Sequence, residues 1–403
     1  MRDSMLAIKD LRAVLGSLVR SLQLAGGRPH FLFARTQEGC DSQQLDVIGS
    51  EMPFAHRLRL AASFTGMFGL ASGHAAILAR QVSLSDWPEY VRRHWLPEDS
   101  SIVFMTSGST GAPVPCRQNV TLLMQEIHAH AEAFGDRARI LTAVPRHHIY
   151  GFLFAVLLPR ALGLPVFDLP PVPSSSLTSV LVEGDLLVAF PMFWKGLSQL
   201  MPTFPRNVHG ITSTGPCQPE VIEKLLSRGL QRMTEVYGSS ETGGLGIRHD
   251  CWAPYTLLPF WKKSHEEASD ISLVIRVLPD GSKTAASAMP DTVDWEDENN
   301  FRPVRRKDKA VQVAGVNVYP ERIASIIKSH PFVAACAVRP MREEEGSRLK
   351  AYIVPEAGIN DARLRNEMAA WFSKHFSPPE TPRKVTFGTA LPVNTMGKTC
   401  DWE

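Results

Sequence analysis

The run of residues 105–113, MTSGSTGAP, is the first part of the sequence that could do chemistry. It follows the apolar residues 102–104 and consists mainly of glycine and hydroxyl residues, which is typical of a strand that ends in an anion-binding loop. Glycines let backbone N–H groups come close to an anion, and hydroxyls add donors beside them. The candidate phosphate-binding residues are Thr106, Ser107, Gly108, Ser109, Thr110 and Gly111. A solvated loop without a ligand has the same composition, so other motifs must decide between the two.

A second segment, EVYGSSETGG at residues 235–244, combines the groups that a nucleotide needs. An aromatic ring for adenine to stack on, a glycine for close approach, a hydroxyl for the α-phosphate and a carboxylate for Mg²⁺ follow one another closely. These are Tyr237, Gly238, Ser240 and Glu241. A strand end with a polar turn would explain the glycines but not the whole order. The segment therefore predicts a nucleotide site with Glu241 as the metal ligand.

The elements that position these residues follow from the hydrophobic pattern. Between about 100 and 260, short apolar runs alternate with helix-compatible stretches, which predicts an α/β domain with mixed, largely parallel sheets and flanking helices. The predicted strands are 102–105, 140–144, 164–169, 186–190, 210–213 and 232–237, and the predicted helices are 119–134, 151–162 and 217–229. Residues 4–24 have helical apolar spacing and precede Gly26-Gly27, so an amphipathic helix is expected there.

The pattern changes after the charged stretch 302–309. It then predicts a strand at 310–318, a helix at 320–329, strands at 333–338 and 349–354, and a helix at 361–375. We therefore expect a large N-terminal domain, residues 1–307, and a small mobile α+β C-terminal domain, residues 308–403. The stretch 263–300 is polar and weakly periodic, and no element is predicted there.

Composition excludes several classes of function. A chain of 403 residues suggests two or three domains, and its formal net charge of +2 does not favour nucleic acid as a partner. The six cysteines include no CxxC pair, so reduced thiols in a cytoplasmic protein are expected rather than a zinc site. The N-terminal region carries charges that interrupt any signal-peptide core, and no apolar window is long enough for a membrane span.

Together, the two segments resemble the phosphate loop and nucleotide motif of the adenylate-forming enzymes, which include acyl-CoA and aryl-CoA synthetases, luciferases and peptide-synthetase adenylation domains. Three further segments match this family in the expected order. Residues 144–152 resemble its histidine and aromatic segment, residues 212–216 its adenine turn, and residues 391–398, LPVNTMGK, its terminal lysine loop. The residues carried over by these matches are His148 for carboxylate orientation, Tyr150 and Phe152 with Gly243 and Gly244 for the acid pocket, Gly215 and Pro216 for adenine, and Lys398 for catalysis.

The ribose and hinge positions are assigned by the same resemblance. The family has a ribose-binding aspartate fifteen residues before an arginine that also reaches the ribose, and Asp291 and Arg306 have this spacing. Asp308 then matches the hinge, and Gly315 lies in the segment that lines the thiol channel of the family. The basic cluster at 302–309 could also be a nucleic-acid patch, but a solvated linker explains it more simply.

The sequence also departs from the family pattern. Val114 stands where the phosphate loop usually has a lysine, and Arg117 is the nearest cation, so pyrophosphate binding is expected to rest on Arg117, the loop hydroxyls and Mg²⁺. Met289-Pro290-Asp291 keeps the acid of the usual Thr-Gly-Asp but not its glycine. About 105 residues precede the loop, so the N-terminal part should be abbreviated.

The resemblance implies a two-step reaction with ATP, Mg²⁺ and coenzyme A. An aromatic acid forms an acyl-adenylate, the small domain rotates about Asp308, and the acyl group passes to a thiol. The compact 4-coumarate–CoA ligases associated with photoactive yellow protein are the most similar subfamily, so 4-coumarate is the favoured substrate, although benzoates or a medium acyl chain also suit such a pocket. A carrier-protein acceptor in place of coenzyme A, and a decayed nucleotide-binding homologue, stay open as alternatives.

Overall fold

The structure is a computed structural model that describes residues 6–25, 41–95, 101–107, 113–265, 271–306, 310–313, 316–342, 345–346, 348–359, 361–392 and 402. The chain divides into two compact units. The first comprises Met1–Thr106 and Pro115–Arg305, and the second comprises Ser107–Val114 and Arg306–Glu403. The functional domain boundary expected at 307/308 stays a prediction, because residues 307–309 lie outside the described ranges.

The first unit begins with helices. These are α1 (Ile8–Ala25), α2 (Ser42–Glu51), α3 (Phe54–Met67), α4 (Ser72–Arg80) and α5 (Trp87–His94). The amphipathic helix expected at 4–24 is confirmed as α1, which buries Leu11, Val14, Leu15 and Val19 completely. The sequence analysis did not predict α2 to α5. Within the described ranges no helix is long and apolar enough to cross a membrane.

The rest of the first unit alternates strands and helices. The strands are β1 (Ser101–Ser107), β2 (Pro113–Asn119), β3 (Arg139–Thr142), β4 (Val166–Asp168), β5 (Asp185–Ala189), β6 (His209–Thr212), β7 (Arg232–Ser239), β8 (Gly243–Arg248), β9 (Tyr255–Leu257), β10 (Trp261–Lys263), β11 (Leu273–Arg276), β12 (Ser287–Ala288), β13 (Asp291–Trp295) and β14 (Asn300–Arg306). The helices are α6 (Val120–Phe134), α7 (Ile149–Phe152), α8 (Leu158–Leu162), α9 (Pro191–Leu200) and α10 (Pro219–Ser227). A π-helical turn, Leu153–Leu157, joins α7 to α8.

Nine of these strands form one sheet in the order β13-β14-β9-β8-β7-β6-β5-β3-β4. Strands β4, β3, β5, β6 and β7 are parallel, and β7, β8, β9 and β14 continue the sheet with antiparallel pairs. The mixed α/β architecture is therefore confirmed, with the parallel pairs confined to β4, β3, β5, β6 and β7 of this sheet. Strand β5 is buried along its whole length because helices cover both faces of a parallel sheet. The strands β11 to β13 fall in the stretch where no element was predicted.

The second unit has its own apolar core. It contains β15 (Val311–Val313), β16 (Val316–Val318), α11 (Pro320–Lys328), β17 (Val333–Pro340), β18 (Leu349–Pro355), α12 (Asp361–His375) and β19 (Lys384–Phe387). The single strand expected at 310–318 is instead an antiparallel pair, β15 and β16. Strand β19, which was not predicted, pairs parallel to β18 and completes a three-stranded sheet. Together these elements form the small α+β unit that the pattern indicated.

Candidate functional site

The carboxyl ends of the parallel strands bring the main candidate residues to one edge of the large sheet. His148 follows β3, Gly215 follows β6, and Tyr237 to Glu241 lie at the end of β7. Parallel strands end at the same edge of a sheet, and open α/β sheets bind their ligands there. Candidate residues that are distant in the sequence therefore lie at the same edge of the sheet, the one formed by the carboxyl ends of the parallel strands.

The segment between β3 and α7 is held by buried polar contacts. Tyr150 is buried, and its hydroxyl lies 3.0 Å from both the Ala189 and the Ile211 carbonyl oxygens, at the ends of β5 and β6. Burial raises the pKa of Tyr150 well above its ordinary value, so the phenol stays protonated and can donate. Gly151 is required here, because a Cβ atom would come within 2.0 Å of the Pro145 carbonyl oxygen. Tyr150 thus ties α7 to the strand ends.

His148 combines accessibility with a desolvated position. Its side chain is exposed, yet the surrounding protein lowers its pKa from the ordinary value through desolvation. A lowered pKa keeps the imidazole neutral at pH 7, so it offers one N–H donor to a carboxylate without carrying a charge.

The second predicted aromatic pocket residue has a different environment. Phe152 has no accessible surface, and its ring meets that of Phe104 edge-on at 5.6 Å. It would therefore support a pocket from behind rather than contact an acid. The π-helical turn that follows it is a feature found frequently at functional sites.

Tyr237 and Asp291, which the sequence predicts to bind the nucleotide, lie in contact. The Tyr237 hydroxyl donates a hydrogen bond of 2.8 Å to Asp291 Oδ2 at the start of β13. The other oxygen, Asp291 Oδ1, is buried and has no hydrogen-bond partner among the described residues. A buried acceptor without a donor is costly, and a ribose hydroxyl would supply one. This orphaned oxygen fits the nucleotide that the sequence predicts.

The turn after β7, residues 239–244, carries the predicted metal ligand. Gly238 has no room for a side chain, because a Cβ would lie 2.1 Å from the Gly243 carbonyl oxygen. Inside the turn, the Ser239 hydroxyl accepts hydrogen bonds from the backbone N–H groups of Glu241 and Thr242 at 3.2 and 3.3 Å. Glu241 is exposed, and no group of three or more metal-binding side chains occurs among the described residues. Glu241 can therefore offer one carboxylate to Mg²⁺. Phosphate oxygens and water would complete the coordination, which is a common arrangement for this ion.

The turn after β6, for which adenine binding is predicted, contains a strained residue. Gly215 is half-buried and Pro216 is exposed, as small groups beside a flat base could be. The preceding residue, Thr214, has a φ of 77°, a conformation that β-branched residues rarely adopt, and its buried hydroxyl has no hydrogen-bond partner within the ranges described. Backbone strain of this kind clusters at ligand sites.

Arg117 lies on β2, and its guanidinium donates to the Ser101 hydroxyl at 2.7 Å, at the start of β1. Val114, which stands where a lysine was expected, is exposed and offers no charge. The expected role of Arg117 in pyrophosphate binding stays a prediction, because residues 108–112 of the loop lie outside the described residues.

Several predicted residues cannot be placed. Thr106 is half-buried at the end of β1, and Ser107 is described by its backbone alone, as is Arg306 at the end of β14. Gly108, Ser109, Thr110, Gly111, Asp308, Gly315 and Lys398 lie outside the described residues. The roles of all these residues stay predictions.

The structure also shows site residues that the sequence reasoning missed. Gln118 and Glu126 hydrogen bond to the backbone of residues 240–244, and Ser17 of α1 binds the segment before His148. These partners lie more than one hundred residues apart in the sequence. Of these residues and the strained Thr214, only Thr214 could have been found from the local sequence, because it adjoins the predicted Gly215.

Comparison with known proteins gives two matches to family models. Residues 72–269 match the model described as AMP-binding enzyme, and residues 322–398 match the AMP-binding enzyme C-terminal domain. Among curated relatives, a 4-coumarate–CoA ligase of Halorhodospira halophila is 36% identical over 90% of this chain and 91% of its own length. A 3,4-dihydroxybenzoate–[aryl-carrier protein] ligase of Bacillus anthracis is 24% identical over 78% of this chain and 76% of its own.

A solved structure supports the same fold. The amide bond synthetase McbA from Marinactinospora thermotolerans superposes with a TM-score of 0.65 at 17% sequence identity, over 96% of this chain and 92% of that one. At this identity the likeness concerns the fold alone.

Proposed function

Because the chain belongs to the family of AMP-binding, adenylate-forming enzymes, we propose that it is an ATP-dependent aryl-CoA ligase that acts on 4-coumarate. The observation that carries the nucleotide part of this proposal is the Tyr237–Asp291 contact, with its unpaired buried oxygen, together with the exposed Glu241 carboxylate four residues after Tyr237. The curated relative at 36% identity supports the choice of acid and thiol.

In the first step, an oxygen of the acid carboxylate attacks the α-phosphorus of ATP, and pyrophosphate leaves. Neutral His148 orients the carboxylate through an N–H donor, Asp291 and Tyr237 hold the ribose and the base, and Lys398 bridges the acid and the nucleotide. Bound at Glu241, Mg²⁺ would neutralise charge on the phosphates. Positioning and electrostatic stabilisation account for most of the catalysis in such transfers.

In the second step, a thiolate attacks the acyl carbon of the adenylate, the C–O bond to phosphate breaks, and AMP leaves. We propose coenzyme A as the thiol. The relative that acts on an aryl-carrier protein favours a second candidate, a ligase that loads a phosphopantetheine arm.

Exchange of labelled pyrophosphate into ATP tests adenylation without assuming the thiol. A panel of 4-coumarate, benzoate, 3,4-dihydroxybenzoate and a medium-chain acid should give the fastest exchange with 4-coumarate, and added coenzyme A should then yield the thioester. Exchange with none of the acids would refute adenylation of this substrate class. Thioester formation on a carrier protein, with indifference to coenzyme A, would decide for the second candidate.

Two aspartates of β13 provide a matched test of the nucleotide residues. We expect Asp291→Asn to raise the KM for ATP about tenfold, since a hydrogen bond to a charged group contributes about 1.5–3 kcal/mol. Asp294 lies on the same strand but is exposed, so Asp294→Asn should leave this KM unchanged. Equal effects of the two substitutions would remove Asp291 from the nucleotide site.

A further inference from the structure

Gln118 joins β2 to the turn that carries Glu241. Its side chain is buried, and Nε2 donates to two successive backbone carbonyl oxygens, that of Ser240 at 2.5 Å and that of Glu241 at 2.9 Å. The Cys116 thiol of the same strand also donates to the Ser240 carbonyl oxygen at 2.9 Å. An apolar side chain at position 118 would leave one carbonyl without a partner and the other with the thiol alone. Strand β2 therefore fixes one side of the turn.

Glu126 of α6 holds the other side. It has no accessible surface, and both carboxylate oxygens lie 3.0 Å from the backbone N–H of Gly244. A Cβ atom at Gly243 or Gly244 would come within 2.6 or 2.5 Å of this carboxylate, and Gly243 has a φ of 70°. The two glycines thus allow the close approach of the backbone to Glu126.

Between these two anchors, the Glu241 side chain is exposed, and no described residue forms a hydrogen bond or ion pair with its carboxylate. Its position is therefore set by the backbone of the turn. A ligand to a hard cation must be held in place by its supporting hydrogen bonds, and the loss of such support typically costs 10–100-fold in metal affinity.

We propose that Gln118 and Glu126 are positioning residues that hold residues 240–244 from both sides and so place Glu241 for the divalent cation of the nucleotide. The inference rests on the proposed function for the identity of that cation complex. It assigns a role to two residues that lie outside the motifs on which that function rests, on the strand and helix that follow the phosphate loop in the chain.

Gln118→Leu and the matched control Gln125→Leu test the first anchor. Gln125 lies on α6, and its carboxamide is likewise hydrogen bonded, donating to the Val277 carbonyl oxygen at 2.8 Å and accepting from Arg276 at 2.9 Å, but it does not contact the turn. We expect Gln118→Leu to raise the half-saturating Mg²⁺ concentration for ATP–pyrophosphate exchange about tenfold, with the KM for the acid unchanged. Gln125→Leu should shift neither quantity. Equal Mg²⁺ dependence in the two variants would overturn the proposal.

Glu126 allows a graded test. In Glu126→Gln the side-chain oxygen can still accept the Gly244 N–H, so this variant should keep a Mg²⁺ dependence close to that of the unaltered protein. Glu126→Leu, which has no acceptor, should behave like Gln118→Leu. If Glu126→Gln is as impaired as Glu126→Leu, the hydrogen bond is not what positions the turn.

Hydrogen–deuterium exchange gives a readout without catalysis. In Gln118→Leu the amides of residues 239–244 should exchange about tenfold faster than in the Gln125→Leu control, while amides elsewhere in the large sheet keep their protection. Unchanged exchange at the turn would overturn the proposal even if catalysis were affected. If the unaltered protein activates none of the acids, the proposed function fails, and this measurement still decides whether the two side chains hold the turn.

Discussion

At the scale of single residues, the site combines an unpaired acceptor, a neutral imidazole and a strained backbone. Asp291 Oδ1 and the Thr214 hydroxyl are both buried without a hydrogen-bond partner in the described part of the chain. A polar ligand bound at these strand ends would supply the partner that each of them lacks. Desolvation lowers the pKa of His148, so its imidazole is neutral near pH 7 and offers an N–H donor without a charge.

Thr214 allows a direct test of strain. Its φ of 77° suits glycine, and a β-branched residue in this region costs about 1–3 kcal/mol. We expect Thr214→Gly to raise the free energy of unfolding by about 1 kcal/mol, after the entropic cost of a glycine is subtracted. Urea unfolding measures this change.

The control for Thr214 is its neighbour Thr212, which lies in β6 and also has a buried hydroxyl without a partner in the described ranges. There the backbone is an ordinary strand, so Thr212→Gly should lower stability by about 1 kcal/mol. A loss of stability in both variants would show that Thr214 is not strained.

At the scale of elements, α1 supports the segment that carries His148. The Ser17 hydroxyl accepts the Arg146 backbone N–H at 2.9 Å and lies 3.0 Å from His147 Nδ1, and the His147 ring packs on that of His148 with centroids 4.6 Å apart. Desolvation, together with the neighbouring His148 imidazole and the positive charge of Arg20, holds the pKa of His147 well below its ordinary value. A helix from the start of the chain thus fixes the neighbour of a predicted catalytic residue.

Two serines of α1 give a matched pair for this role. Ser17→Ala leaves a buried backbone N–H without its acceptor, so we expect a stability loss of about 1–3 kcal/mol and a several-fold higher KM for the acid, with the KM for ATP unchanged. Ser21 lies 3.5 Å from His147 Nε2, a weak contact, and Ser21→Ala should change neither KM by more than twofold. Steady-state kinetics with each substrate varied provides the measurement, and equal KM values for the acid in both variants would contradict this role of α1.

At the scale of the whole molecule, each compact unit has its own core, and the second contains a buried cation. Lys350 in β18 is fully buried and forms a hydrogen bond with Glu345, which also accepts from Arg339 at 2.9 Å. These contacts lower the pKa of Glu345 to about 2. The carbonyl oxygen of Trp402 accepts from the same two cations, which holds the chain just beyond the predicted lysine loop.

Acid titration tests this cluster. The folded pKa of Glu345 is depressed, so its stabilising effect is present above the unfolded value near 4.5 and is lost as the pH falls towards 2. We therefore expect Glu345→Gln to lower the melting temperature at pH 6 and to differ little from the unaltered protein near pH 2. Glu356→Gln, at an exposed position after β18, is the control and should have no effect at pH 6. A destabilisation by Glu345→Gln that persists at pH 2 would contradict the assignment.

The amino-acid sequence alone sufficed for the family, the α/β class and the order of the chemistry-bearing segments, because these are encoded in local motifs and in hydrophobic periodicity. It predicted α1, the parallel strands and the small second unit, but not α2 to α5. The amphipathic patterns of α2 to α4 are weaker than that of α1, and α5 has only eight residues, about two helical turns. The sequence pattern predicted one strand where the structure has the antiparallel pair β15 and β16. Two short apolar strands in succession have the same composition as one longer strand. Long-range packing was needed for the rest: Gln118 and Glu126 reach a turn more than one hundred residues away, and Ser17 of α1 binds the segment before His148. A local pattern tells which residues could bind a nucleotide, but hydrogen bonds between distant segments determine where those residues are held.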